Sequence, residues 1–125
     1  MKEIVNTENA PNAIGPYSQA NRIDDFIFVS GQLPINPLTG ELSGNNVKDQ
    51  ARQSLENVKS ILSKAGTDIT RVVKTTVFLQ NMDDFADMNQ MYGQYFTDNF
   101  PARTTVEVSR LPKDAKVEIE VIAHL

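Results

Sequence analysis

An α+β domain, with a six-stranded mixed sheet carrying two helices on one face, is the fold class this sequence predicts. Three observations predict it. The chain has 125 residues, a length that suits one domain (1–125) around a single core. Two stretches place apolar residues at the helical period, and six shorter ones are β-branched, aromatic or alternating. In chain order these read βββαβαββ, and helices joining strands in that order pack on one face of the sheet.

Residues 2–5 predict a short first strand, and residues 6–16, rich in Asn, Pro and Gly, a loop. Residues 17–23 predict a second strand. Asp24-Asp25 then turns the chain into the strongly apolar run Phe26-Ile27-Phe28-Val29-Ser30, a third strand. "GQLPINPLTGEL" follows, and its prolines and glycines mark a structured loop. The clearest helix spans 47–65. Val47, Ala51, Leu55, Val58, Leu62 and Ala65 trace one face, and Gly66 supplies a left-handed stop. On its outer face Asp49 with Arg52, and Glu56 with Lys59, can pair at i,i+3.

"VVKTTVFL", residues 72–79, is β-branched enough for a fourth strand. A second helix is predicted over 84–97, with Phe85, Met88, Tyr92 and Tyr95 or Phe96 on its apolar face and Asn89 beside it. Gly93 weakens this helix by roughly 1 kcal/mol relative to alanine, and Pro101 bars its continuation. Residues 103–108 and 116–123 predict the last two strands. Strands such as 26–29 and 72–79 are apolar on both sides, whereas two helices cover only one side. A second copy of the chain is expected on the other, in a closed, symmetric homo-oligomer.

Composition narrows the function classes. Net charge is −4, and the twelve basic residues are scattered without a cluster, which disfavours nucleic-acid binding. There is no cysteine, so disulfides and thiolate chemistry are excluded. No apolar run approaches the roughly 20 residues that span a bilayer. The opening Met1-Lys2-Glu3-Ile4-Val5 has no secretory h-region, so a cytoplasmic address is expected. The phosphate-loop pattern G-x-x-x-x-G-K-[ST] is absent. With His124 the only histidine, a zinc site or a Ser-His-Asp triad is disfavoured.

Arginine, carboxylate, hydroxyl and backbone groups remain. Alternation puts Arg103, Thr105 and Glu107 on one face of their strand, and Glu118, Glu120 and Ile122 on one face of the last. An arginine fork suits a carboxylate, and a glutamate can act as general acid or base or orient a water. The same pattern also fits a solvated face with a surface ion pair. Gly31 in "VSGQLP" fits either a turn or a close approach of ligand to backbone N–H groups, and Tyr17 fits packing as well as a site.

Five stretches taken together resemble one family. They are "NAPNAIGPYSQA", "FVSGQLPINPLTGEL", "QARQSLENVKSILSKAG", "VVKTTVFLQNMDDFADMNQMY" and "FPARTTVEVSRLPKDAKVEIEVIA". In this order and covering nearly the whole chain, they resemble the RidA (YjgF/YER057c/UK114) reactive intermediate deaminases. The resemblance implies a chorismate-mutase-like fold assembled as a homotrimer with clefts between subunits. It implies hydrolysis of enamines and imines such as 2-aminoacrylate, released by pyridoxal-phosphate dehydratases, to 2-keto acids and ammonia, with no metal or organic cofactor. Matched by motif, Arg103 would clamp the substrate carboxylate and Glu118 would position or activate water. Ser30 and the Gly31 N–H would line the cleft, with Tyr17 and Asn89 at further cleft positions. Glu120 does not match the family's acid position. Thr105 departs from the cysteine many members carry, which puts thiol-dependent behaviour in doubt here. A non-catalytic keto-acid or amino-acid binder of the same fold is the alternative. An RNA-cleaving role, also attached to this family, is disfavoured by the acidic charge.

Overall fold

The computed structural model describes all of residues 1–125. Its strands are β1 (Glu3–Val5), β2 (Ala20–Ile23), β3 (Phe26–Gln32), β4 (Val72–Leu79), β5 (Ala102–Glu107) and β6 (Val117–His124). The helices are α1 (Val47–Ala65) and α2 (Phe85–Tyr95). One sheet in the order β1-β2-β3-β6-β4-β5 holds all six strands. Only β4 and β5 run parallel; every other neighbouring pair is antiparallel. The predicted α+β class and mixed sheet are therefore present, with the last strand of the chain at the sheet's centre.

The core lies between the sheet and the helices. Leu55, Val58, Ile61 and Leu62 of α1 are fully buried with Ile27, Val77 and Ile119 from the sheet. Truncating one such leucine to alanine costs roughly 2–5 kcal/mol, because the cavity it leaves collapses only partly. α1 has the predicted bounds. Asn46 caps its start by accepting from the Asp49 N–H, and Gly66 closes it at φ 90°. The Arg52–Asp49 and Lys59–Glu56 pairs form at 3.4 and 3.8 Å.

Other boundaries differ. β2 starts at Ala20, not at 17, because the preceding segment is bent: the Tyr17 N–H donates to Gly15 O at 2.9 Å. The Gln19 side chain turns into the N-terminal loop, where it accepts from Thr7 N–H and donates to the carbonyls of Thr7, Ala10 and Pro11. α2 covers 85–95 rather than 84–97. A single 3-10 turn, Met82–Asp84, precedes it, capped by the Asn81 side chain, and extended backbone at Phe96 ends it.

β3 continues two residues past its predicted end, through a bulge. Val29 pairs with Val121 and Gln32 with Ile119, so β3 holds one more residue than β6 between these pairs. The extra residue resets the alternation. Ile27 and Val29 face the core, Ser30 and Gly31 stay half-buried, and Gln32 turns inward again.

Opposite the helices the sheet carries Phe26, Phe28, Val73 and Val106, with 48% and 44% of the two phenylalanines exposed. This is the uncovered apolar face expected from the two-sided strands. No helix is long and apolar enough to cross a membrane.

Candidate active site

Arg103 stands near the start of β5, the edge strand. Its register partner on β4 is Thr75, which is fully buried beneath the helices, so Arg103 projects toward the helix-covered side. There α2 receives it. One guanidinium N–H donates to Asn89 Oδ1 at 2.7 Å, and the guanidinium carbon lies 4.7 Å from the Tyr92 ring centroid and 5.5 Å from that of Phe85. Phe85, Asn89 and Tyr92 form one stripe of α2, at spacings of four and three. The four ion pairs of the chain, Lys48–Asp87, Arg52–Asp49, Lys59–Glu56 and Arg110–Asp114, do not include Arg103. Within the chain the surface ion-pair reading of Arg103 therefore fails. A guanidinium has five N–H donors, and the fork retains donors for a carboxylate. Thr105, two residues along the same strand face, has a buried Oγ1 without a hydrogen-bond partner. Glu107 is taken up locally, accepting from the Met82 N–H at 2.8 Å.

Glu118 occupies the other side of the sheet. Its neighbours Val117 and Ile119 are fully buried toward the helices, so alternation sends Glu118 and Glu120 to the open face. The β3 bulge brings Gly31 against it. A Cβ on Gly31 would lie 2.9 Å from the Glu118 carboxyl carbon and 3.0 Å from Oε2, so a larger residue would have to displace the carboxylate. Burial pushes the Glu118 carboxyl above its usual range, and the Glu120 charge pushes it further the same way.

Ser30 ties the neighbouring segment to the bulge. Its hydroxyl donates to Ser18 O at 2.6 Å and its N–H to Gln19 O at 2.9 Å. Tyr17 immediately precedes Ser18 in this segment, and its ring lies by Gly15. It is 54% exposed, and its hydroxyl accepts from the Ile14 N–H at 3.4 Å.

The predicted residues thus form two groups. Arg103, Asn89 and Thr105 gather at the β5 edge on the helix side; Ser30, Gly31 and Glu118 gather around the bulge on the open side, with Tyr17 in the segment that Ser30 ties to it. β4 separates β5 from β6, a gap of about 10 Å at ordinary strand spacing, and the two key side chains leave the sheet in opposite directions. Arg103 and Glu118 do not meet within one chain.

Sequence reasoning named Tyr92 and Phe85 only as core and missed their place beside Arg103. The stripe they share with Asn89 was the available signal. It also passed over Gln19, whose four bonds shape the loop before Tyr17, and Lys74. The open face holds a cavity of about 250 Å³, lined among others by Lys74, Thr76, Glu120, Phe28 and Asn21. In that face the Asn21 Oδ1 is buried without a partner.

Residues 7–125 match the family described as endoribonuclease L-PSP. A RutC family protein of Pyrococcus horikoshii is 56% identical, covering 99% of this chain and 98% of that protein. The Escherichia coli protein named 2-iminobutanoate/2-iminopropanoate deaminase is 52% identical, with 98% of both chains covered. Among solved structures, Escherichia coli TdcF with bound serine superposes with a TM-score of 0.94 at 47% identity, again over 98% of both chains. The chain belongs to the endoribonuclease L-PSP family, the same RidA/YjgF family that its five motifs resemble.

Proposed function

We propose that this protein is a deaminase that hydrolyses reactive imines and enamines, such as 2-aminoacrylate, 2-iminopropanoate and 2-iminobutanoate, to 2-keto acids and ammonia. One observation carries the proposal: an arginine fork free of any carboxylate in its own chain, held by α2, in a chain that also carries an acid packed against a glycine. The deaminase name of the half-identical Escherichia coli relative supports it.

In this reading Arg103 holds the substrate carboxylate through paired charge-assisted hydrogen bonds, which places C2 of the imine at a defined point. An enamine first tautomerises, taking a proton at C3 to give the imine. Protonation of the imine nitrogen makes C2 electrophilic. Water adds there, Glu118 orienting it and taking its proton, and the carbinolamine expels ammonia as the C2 carbonyl forms. Imine hydrolysis is intrinsically easy, so positioning can supply most of the acceleration. The steps require no organic cofactor or metal.

Because the two groups leave opposite sheet faces, a complete site needs a second copy. We infer a homotrimer in which the β5 edge of one subunit, with Arg103, Asn89 and Thr105, faces Tyr17, Ser30, Gly31 and Glu118 of the next. The exposed Phe26, Phe28, Val73 and Val106 give that assembly an apolar face to bury. Pyridoxal-phosphate dehydratases, which release such imines, are the expected source of substrate, in the cytoplasm.

The test generates 2-aminoacrylate with a dehydratase and follows keto-acid release. The protein accelerates release and Arg103→Ala does not; equal rates with both would overturn the assignment. A light-scattering mass of 13.9 kDa, the monomer, would undo the shared site. A binder without turnover is the second reading. It is favoured by the structure of TdcF with serine, a ligand that itself carries a carboxylate. Ligand protection against heat without any acceleration would select it.

A further inference from the structure

Arg103 sits on an edge strand and is solvent-exposed, yet three side chains of α2 surround it. An exposed arginine ordinarily samples many rotamers, and ordering it on ligand binding weakens affinity. Asn89 fixes one guanidinium nitrogen, which leaves the plane free to swing about that bond. The ring of Tyr92 removes that freedom. The guanidinium carbon is 4.7 Å from its centroid, well inside the range of a cation held over an aromatic face.

Tyr92 is itself immobilised from two sides. Its hydroxyl bonds Thr75 Oγ1 at 2.8 Å, inside the core, and Thr75 is the β4 register partner of Arg103. Its ring packs on Phe96, with centroids 4.5 Å apart and planes at 33°. Only 6% of Tyr92 is exposed. Burial holds its phenol above the ordinary range, so the hydroxyl stays protonated at neutral pH and remains in the Thr75 bond. The chain Thr75–Tyr92–Arg103 therefore runs from the buried face of β4 to the guanidinium.

We propose that Tyr92 is a positioning residue: its ring, anchored by Thr75 and Phe96, sets the plane of the Arg103 guanidinium for two parallel hydrogen bonds to a ligand carboxylate. The proposal rests on the reading of Arg103 as a carboxylate clamp and does not require turnover.

The experiment measures the Kd of 2-oxobutanoate by calorimetry, alongside KM and kcat in the deaminase assay, for wild type, Tyr92→Phe and Tyr92→Leu. Tyr92→Leu raises Kd and KM about tenfold with a smaller change in kcat, since it loosens a clamp rather than removing the acid. Tyr92→Phe keeps the ring and stays within about twofold in Kd, although it loses stability by leaving Thr75 unpaired. A structural role alone would make Kd follow stability, so that Tyr92→Phe, which leaves Thr75 unpaired just as Tyr92→Leu does, would lose affinity as well.

A second readout needs no Tyr92 variant to fold. In wild type the ring current shifts the Arg103 Nε–H resonance, assigned by its loss in Arg103→Lys, upfield of the other arginines. Wild-type affinity in a folded Tyr92→Leu, an equal loss in Tyr92→Phe, or an Arg103 resonance among the other arginines each overturns the proposal. So does a wild type that binds no keto acid. If the Kd pattern holds while wild type accelerates nothing, the positioning role stands and the deaminase reading falls.

Discussion

The β5 edge and the β3 bulge solve opposite problems with opposite means. At the edge, a charged side chain is held by what surrounds it: an amide, a ring face and a second ring, all from α2. At the bulge, a carboxylate is held by what is missing, the Cβ that Gly31 lacks. The cation keeps spare hydrogen-bond donors, whereas the acid is pushed toward its neutral form by burial. In the proposed function one region grips and the other exchanges a proton.

The sharpest way to break this contrast is to remove each member in turn and then mix the products. Arg103→Ala is expected to lower kcat/KM about 10²–10³-fold while the fold persists, because charge-assisted hydrogen bonds to one carboxylate disappear together. Glu118→Ala is expected to be similarly inactive. Refolding the two variants together at equal amounts restores about a quarter of the wild-type sites, since one ordered neighbour pairing in four joins an intact Arg103 to an intact Glu118. No recovery would mean that both residues act from one chain.

Gly31→Ala comes next. Its new Cβ moves the Glu118 carboxyl while leaving Arg103 untouched, so kcat falls on the order of tenfold and keto-acid affinity holds. A parallel loss of affinity would mean that the Gly31 segment holds the ligand together with Arg103.

Smaller effects test the acid through pH. Glu118 works as a carboxylate in the proposed step, so kcat/KM falls as pH drops through its raised pKa. Glu120→Gln removes one cause of that elevation and shifts the acid limb to lower pH. The stability sign is the reverse of a salt-bridged carboxylate. A raised folded-state pKa means that the native state holds its proton longer than the unfolded chain. Stability is then highest below the ordinary glutamate range and declines as pH rises through the folded value. Glu118→Gln should therefore raise Tm slightly at pH 7 while abolishing turnover; a lowered Tm would indicate a partner that stabilises the charge.

Much of this architecture was legible because it is written in local signals. α1 starts and stops where its apolar stripe, Asn46 and Gly66 say it must, since each of those devices acts within a few residues. Arg103, Gly31 and Glu118 were singled out by motif, and their roles belong to the proposed function. What stayed hidden depends on distant pairing. Alternation divided β5 and β6 into two faces each, yet which face meets the helices follows from β5 lying parallel to β4 at the edge. The bulge is a mismatch between β3 and β6, segments far apart in the chain, and neither strand displays it alone. The bend before β2 escaped for a similar reason: Tyr17–Gln19 looks strand-like until Gln19 finds its partners at Thr7, Ala10 and Pro11.

The place of β6 has a further consequence for biogenesis. β6, which follows the other five strands in the chain, is the one that joins β3 to β4. Until it emerges from the ribosome, the chain holds two partial sheets, β1-β2-β3 and β4-β5, each with an unpaired apolar edge. Those edges are templates for intermolecular pairing during every round of translation. A nascent chain stalled before Val117 would be a sticky species, and chaperone demand should fall most steeply once β6 has emerged.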